Sequence, residues 1–255
     1  MELLLIKIGG SVITDKKTPY KTNIPIIRKI AKVLKGVKTP LLLSHGSGSF
    51  GHTSAQKYGG KHGYSTPWGI AKVSYDAMDI NRIFMSIFIE EGLPVVSFRP
   101  QSFLLAKNGT LEEAFVTPIA EALKQGMIPV VYGDVIWDTR WKSTIFSGET
   151  ILNILCRYLQ KDYTILKIIE LCDVDGVFDL DKKVIPVITP KNWHEIKTYI
   201  SKNDTADVTG GMRHKIESAL NMTEQEIETW IINGNSPKEL SSLIKGQSAK
   251  GTIIR

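Results

Sequence analysis

The chain of 255 residues has only two cysteines, Cys156 and Cys172, sixteen positions apart and with no Cys-x-x-Cys spacing. That excludes a disulfide framework and a cysteine-ligated zinc site, and it predicts buried free thiols in a reducing cytoplasm. No apolar run approaches the roughly 18 residues of a membrane span. The first apolar run stops at Lys7 and follows Glu2 rather than a basic segment, so it reads as a strand and not a signal peptide. A Gly-x-x-x-x-Gly-Lys-[Ser/Thr] P-loop is missing, and so is the catalytic-loop and Asp-Phe-Gly set of protein kinases. Repeats, low-complexity tracts and flexible linkers are also lacking. Charge of neither sign dominates: 32 Lys+Arg against 26 Asp+Glu leave +6, which suits anionic substrates but is mostly solvated surface. The run Lys16-Lys17 is too short to argue for nucleic acid, and no basic stripe is flanked by aromatics.

What the chain does have is glycine at strand ends. Ser44-His45-Gly46-Ser47-Gly48-Ser49-Phe50-Gly51-His52 follows Leu41-Leu42-Leu43 and packs three glycines, three serines and two histidines into nine residues. Glycine lets backbone N–H groups close around an anion, and a helix predicted to begin near His52 would point its positive end at the same anion. His52 would then meet the ligand, whereas His45, nearer the strand, reads as structural. The loop also matches Gly46-x-Gly48-x-x-Gly51, the dinucleotide fingerprint. The acidic residues at the required offset, Asp76 and Asp79, however lie in a stretch with helical rather than strand spacing. A ligand-free glycine turn is the other alternative.

Further clusters repeat the theme. Leu3-Leu4-Leu5-Ile6-Lys7-Ile8 reads as a buried strand that ends in Gly9-Gly10-Ser11, and a buried lysine needs an anion beside it. Asp173-Val174-Asp175-Gly176-Val177 is an acidic turn after Ile165–Ile169. Asp207-Val208-Thr209-Gly210-Gly211-Met212 opens a helical stretch with Lys215 one turn in.

Strand-like runs are Leu3–Ile8, Pro40–Ser44, Pro94–Phe98, Ile128–Tyr132, Tyr163–Leu171, Thr229–Asn233 and Thr252–Arg255. They alternate with helical patterns near Ile24–Leu34, Ile70–Glu91, Thr117–Gln125, Thr150–Leu159, Gly211–Asn221 and Pro237–Ile244. This predicts a mainly parallel sheet covered by helices on both faces, with ligands at the carboxyl ends of strands. Gly133–Phe146 reads as a β-hairpin lid.

In order and content these clusters resemble the amino acid kinase family: Lys7-x-Gly9-Gly10-Ser11, the glycine loop after the second strand, Asp-Val-Asp-Gly-Val, then Thr-Gly-Gly-Met-x-x-Lys. Three features are most similar to the branch acting on isopentenyl phosphate: Lys7 to Lys16 at the start, the Gly-Ser-Phe-Gly-His loop ending, and Tyr132-Gly133-Asp134-Val135. The resemblance implies a three-layer αβα sandwich with an open, mainly parallel central sheet. Residues 1–146 would form an acceptor lobe including the hairpin lid and 147–255 a nucleotide lobe, within one continuous domain. It also implies a cytoplasmic homodimer that uses ATP, with Mg²⁺ held mainly by the ATP phosphates and water.

Residue by residue, the resemblance puts Lys7, Ile8, Gly9, Gly10, Ser11, Gly48, Asp173, Phe178, Gly211 and Lys215 around ATP. It puts Ser47, His52 and Gly148 around the acceptor phosphate, with Ile70, Val73, Val135 and Ile145 lining a slot for a short branched apolar tail. Spacing alone would equally make these four ordinary core. Lys7 and Lys215 would hold the β- and γ-phosphates, Lys16 would neutralise charge on the moving phosphoryl group, and His52 would donate to an acceptor that is already ionised. Three positions depart from the family's habit. Ser47 interrupts three glycines, Cys172 stands for threonine, and Glu149 stands for aspartate in Ser-Gly-Asp. Rival readings are a kinase of the same fold for another small phosphate or phosphonate, such as fosfomycin kinases, a non-catalytic ligand sensor, and a Rossmann oxidoreductase.

Overall fold

The computed structural model describes residues 1–59, 64, 66–203 and 211–255. Its strands are β1 (Glu2–Ile8), β2 (Leu41–His45), β3 (Val95–Ser97), β4 (Leu104–Lys107), β5 (Thr110–Ala114), β6 (Ile128–Tyr132), β7 (Asp134–Asp138), β8 (Lys142–Phe146), β9 (Thr164–Cys172), β10 (Val187–Ile188), β11 (Thr229–Asn233) and β12 (Gly251–Ile254). The helices are α1 (Gly10–Ile13), α2 (Ile24–Leu34), α3 (Gly48–Tyr58), α4 (Pro67–Glu90), α5 (Thr117–Lys124), α6 (Gly148–Leu159), α7 (Pro190–Asn203), α8 (Gly211–Thr223) and α9 (Pro237–Ile244).

The main sheet runs β10-β12-β11-β9-β1-β2-β6-β3, with every pair parallel except β11 with β12. Period-two alternation along β1 divides the core. Leu4, Ile6 and Ile8 face α2, α4 and α9, whereas Leu3 and Leu5 face α5 and α6, with α7 and α8 covering the β11–β12 side. These are the three layers and the parallel sheet expected from the alternation of runs. No helix among the described residues is long and apolar enough to cross a membrane, and both cysteines are buried and free.

Local chemistry sets the helix ends. Thr66 caps α4 by accepting from the Gly69 amide at 3.1 Å, Pro67 opens the first turn, and Gly92 at φ +83° ends it. Ser147 caps α6 through the Thr150 amide at 3.1 Å. The helix therefore starts at Gly148, two residues before the periodicity suggested, and Glu149 falls in its first turn.

Residues 134–146 do form the expected hairpin, β7 with β8, but it belongs to a second sheet ordered β5-β4-β7-β8. Ile136 and Phe146 on one of its faces join the core, while Val135 on the other is also fully buried. The hairpin is thus packed on one face and covered at Val135 on the other, where Trp137 and Ile145 stay exposed.

Candidate active site

Because β11, β9, β1, β2 and β6 are mutually parallel, their carboxyl ends lie along one edge of the sheet. That edge carries Gly234, Asp173, Gly9, Gly46 and Gly133, each directly following its strand. The glycine turns after β1 and β2 and the acidic turn after β9 are brought together there, with β1 in the middle.

The turns after β1 and β2 touch backbone to backbone. A Cβ on Gly10 would lie 2.5 Å from the Gly48 nitrogen, and one on Gly46 would lie 2.8 Å from the Gly10 nitrogen. Gly48 sits at φ +51°, and its Cβ would fall 2.1 Å from Thr14 Oγ1. Side chains are excluded at all three positions, which is the physical need behind the glycines. Thr14 ties the turns together: its hydroxyl donates to the Gly10 carbonyl at 2.8 Å and accepts from the Ser49 amide at 2.9 Å. Sequence reasoning passed over Thr14. The Gly9 amide is spent on the Leu171 carbonyl at 2.8 Å, so Gly10 and Ser11 remain as the backbone donors of the first turn.

Towards β9 the edge is charged. Lys7 is buried, and its ammonium pairs with Glu149 from α6, while Lys215 from α8 lies 3.5 Å from the same carboxylate oxygen. Burial opposes ionisation of Glu149, but the charges of Lys7 and Lys215 together outweigh it and hold the carboxyl well below its usual range. The anion that a lysine inside an apolar run requires is therefore Glu149. Asp173 accepts from the Ser11 hydroxyl at 3.0 Å and pairs with Lys16 at 2.8 Å. Lys16 is 64% exposed and rests over this corner of the cleft. Ile8 is buried at the end of β1, Phe178 is half-exposed and bridges to Val184, and Gly211 opens α8 with Lys215 one turn in. Asp207, Val208, Thr209 and Gly210 lie outside the described residues.

Towards β2 the edge is a helix N-terminus. Helix α3 begins at Gly48, four residues earlier than expected, with Ser47 at its N-cap position. His52 therefore sits in the second turn and not at the tip, half-buried on the helix that opens at the glycine turn. Gly148 packs against β2, where a Cβ would meet Ser44 Oγ at 2.8 Å and the His45 carbonyl at 2.9 Å. His45 is structural as read: fully buried, bonded to Asn81 Oδ1 and the Gly46 carbonyl at 3.1 Å each, and stacked on Tyr132. Burial pushes its imidazole pKa down.

Of the four slot residues, Ile70, Val73 and Val135 come together in one apolar cluster, and Ile145 does not. Tyr64, which the sequence reading missed, is buried in the same cluster, and its amide is held by Ser143 Oγ at 3.0 Å. Ile145, the register partner of Val135, is left outside and 51% exposed. Behind this cluster the buried carboxyl of Asp134 accepts from Ser74 at 3.0 Å, and Ser74 also accepts from Arg99 at 3.0 Å. Burial pushes Asp134 up to about 7.

Residues 2–233 match the amino acid kinase family. The chain is 30% identical to the isopentenyl phosphate kinase of Methanocaldococcus jannaschii, an alignment that covers 99% of this chain and 98% of that one. It is 32% identical to the isopentenyl phosphate kinase of Thermoplasma acidophilum, covering 99% and 100%. Among solved structures, an isopentenyl phosphate kinase superposes with a TM-score of 0.82 at 27% identity, over the whole length of both chains. The chain belongs to the amino acid kinase family, and within it to the isopentenyl phosphate kinases.

Proposed function

We propose that this chain transfers the terminal phosphoryl group of ATP to isopentenyl phosphate, giving isopentenyl diphosphate and ADP. The observation that carries this reading is the backbone contact between the turns after β1 and β2. It sets a lysine-lined phosphate site and a helix N-terminus side by side, so two phosphates can meet without covalent help from the protein. Lys7 and Lys215 take the β- and γ-phosphates, with Glu149 fixing both ammonium groups until the nucleotide arrives. Gly10 and Ser11 supply backbone N–H groups, while Ile8, Gly9, Gly48, Asp173, Phe178 and Gly211 shape the nucleotide side. The acceptor phosphate lies at the start of α3 beside Ser47 and Gly148, with His52 donating to it from the second turn.

A phosphate monoester has a second pKa of about 6, so its attacking oxygen is already ionised at neutral pH. That oxygen forms a bond to the γ-phosphorus as the bond to the bridging oxygen breaks, and the electron pair leaves with ADP. No general base is needed. Lys16, on its mobile-length side chain over Asp173, follows the migrating group and neutralises its charge. The donor set suits Mg²⁺ carried by the nucleotide's own oxygens and water, since Glu149 is committed to two lysines and Asp173 to Lys16 and Ser11. Mg²⁺ so held supplies further charge neutralisation. The same reading makes residues 1–146 the acceptor lobe and 147–255 the nucleotide lobe.

ADP release measured over a panel of acceptors tests this. Isopentenyl phosphate should be turned over with Mg²⁺ and ATP, and N-acetylglutamate, glutamate and carbamate should not. Equal turnover of an amino acid acceptor, or preference for fosfomycin, would overturn the assignment.

A further inference from the structure

One buried ionisable group at the nucleotide side has no part in the chemistry above. On the α6 and α8 face of the sheet, the strand registers set Ser44, Lys7, Glu170 and Ile231 in a row across β2, β1, β9 and β11. Below this row the same face is apolar, with Leu3, Leu5 and Leu42. The row itself holds a second carboxylate beside Lys7, and Glu149 and Lys215 close over it from α6 and α8. Glu149 bridges the two lysines. Glu170 is 4% exposed, and its Oε2 is sealed from solvent with no hydrogen-bond partner among the described residues.

A buried carboxylate that has an oxygen reached by no hydrogen bond and lies next to another carboxylate is the less stable place for a negative charge. We infer that Glu170 is a positioning residue for the nucleotide: uncharged when the nucleotide binds, it leaves the charge of Lys7 and Lys215 facing the phosphates, and its ionisation at higher pH turns part of that charge away. This rests on the reading of Lys7 and Lys215 as phosphate ligands. The groups that act on Glu170 are Lys7 from β1, Glu149 from α6 and Lys215 from α8, with the uncharged Cys172 thiol further along β9. Burial, then the Glu149 charge, push Glu170 up to about 7, against the pull of the two lysines.

The direction of the effect follows. Phosphates entering beside Lys7 and Lys215 bring negative charge close to Glu170 and raise its pKa further in the complex. Above pH 7, nucleotide binding therefore takes up a proton, and affinity falls as pH rises. Each further unit of pKa shift in the complex corresponds to about a tenfold loss of affinity at high pH.

Calorimetric titration with ATP and excess Mg²⁺, without acceptor, in two buffers of different ionisation enthalpy, reads both quantities. Between pH 7 and 9 the nucleotide phosphates are already ionised, so their own protonation contributes little. In the wild type, affinity should fall about three- to tenfold over this range with net proton uptake. Glu170→Gln and Glu170→Met, which cannot ionise, should bind with a flat profile and no uptake, and more tightly than the wild type at pH 9. A residue that only fills space would leave the pH profile as it is. Wild-type pH dependence and proton uptake in both variants would overturn the inference while leaving the site reading intact. Lys7→Met separates the two: unchanged ATP affinity in that variant would remove the phosphate role of Lys7, and the inference with it.

Discussion

The two sides of the sheet edge prepare for an anion in opposite ways. Towards β9 the site is built from full charges, with Lys7 and Lys215 held on Glu149 and Lys16 on Asp173. Towards β2 it is built from close backbone approach, with Gly10, Gly46 and Gly48 in mutual contact and α3 starting at the junction. On the proposed function, the difference follows from what each side must do. A nucleotide's phosphate chain brings several charges into a buried corner and needs compact cations already in place there. An acceptor monophosphate at a helix N-terminus is met by aligned N–H groups and needs only one side-chain donor to fix its position.

The comparison breaks most visibly at Glu149. Removing it leaves Lys7 buried beside a second cation without the anion between them, a change that typically costs about 3–5 kcal/mol. Glu149→Ala should lower Tm by roughly 10 °C, since a chain of this size loses about 2–4 °C per kcal/mol. ATP at saturating concentration should restore part of the loss, because its phosphates take over as counter-charge. Thermal melts with and without ATP check this, and an undiminished Tm would mean that charge does not hold this side together.

Lys16 sharpens the comparison on the catalytic axis. It is exposed and paired with Asp173 at the surface, so its ground-state ion pair contributes little. Lys16→Met should leave stability unchanged and lower kcat on the order of 10²–10³-fold with little change in the KM for ATP, as expected for a cation acting on developing charge. A variant whose only defect is a raised KM for ATP would move Lys16 out of that role.

Asp134 probes the β2 side, where a buried carboxyl behind the pocket is bonded to Ser74, which Arg99 also reaches. Its carboxyl is raised by burial to about 7 in the fold, so the folded state prefers the protonated form. The stability this gives is fully present below the unfolded value near 4 and is lost as pH rises through 7. Tm should therefore fall by roughly 7–15 °C between pH 4 and 8 from this group alone. Asp134→Asn should flatten that part of the profile, and identical slopes in the two proteins would show that Asp134 stays ionised throughout.

Which of these features the sequence disclosed depends on how far apart the partners lie along the chain. Lys7 stood out because a lysine inside an apolar run must find an anion, and Ile24–Leu34, Ile128–Tyr132 and Thr229–Asn233 were legible to the residue because their periodicity is unbroken. Glu170 sits in an equally apolar run, yet its meaning depends on β9 lying beside β1, a pairing that no local pattern records. Strands β4 and β5 went unread because Thr110–Ala114 is polar and largely exposed, and α7 because its lysines, asparagines and histidine mask the period. Tyr64 was invisible because a slot inferred from four apolar residues says nothing of a further side chain that packs with them. The start of α3 was misplaced because Gly48, at positive φ, looks like a loop residue and is the first residue of the helix.

The smallest and most diagnostic effect belongs to His52, the imidazole donor proposed for the acceptor phosphate on the β2 side. A hydrogen bond to a charged group contributes about 1.5–3 kcal/mol, so His52→Ala should lower kcat/KM for isopentenyl phosphate by at least about tenfold. ATP affinity should stay near that of the wild type, because the lysine corner does not depend on α3. His52→Gln keeps a donor at similar reach and should retain much more activity, since an acceptor already ionised at neutral pH requires no proton acceptor. Placement in the second turn of α3, and not at its tip, adds a constraint: the donor must reach back over one turn, so His52→Asn, which is shorter, should fall closer to alanine than to glutamine. Initial rates over a range of isopentenyl phosphate concentrations for the three variants decide the matter. Equal inactivity of Ala and Gln would make His52 a proton acceptor and the true substrate a hydroxyl compound, and full activity of Ala would leave acceptor recognition to the glycine turn and the helix N-terminus alone.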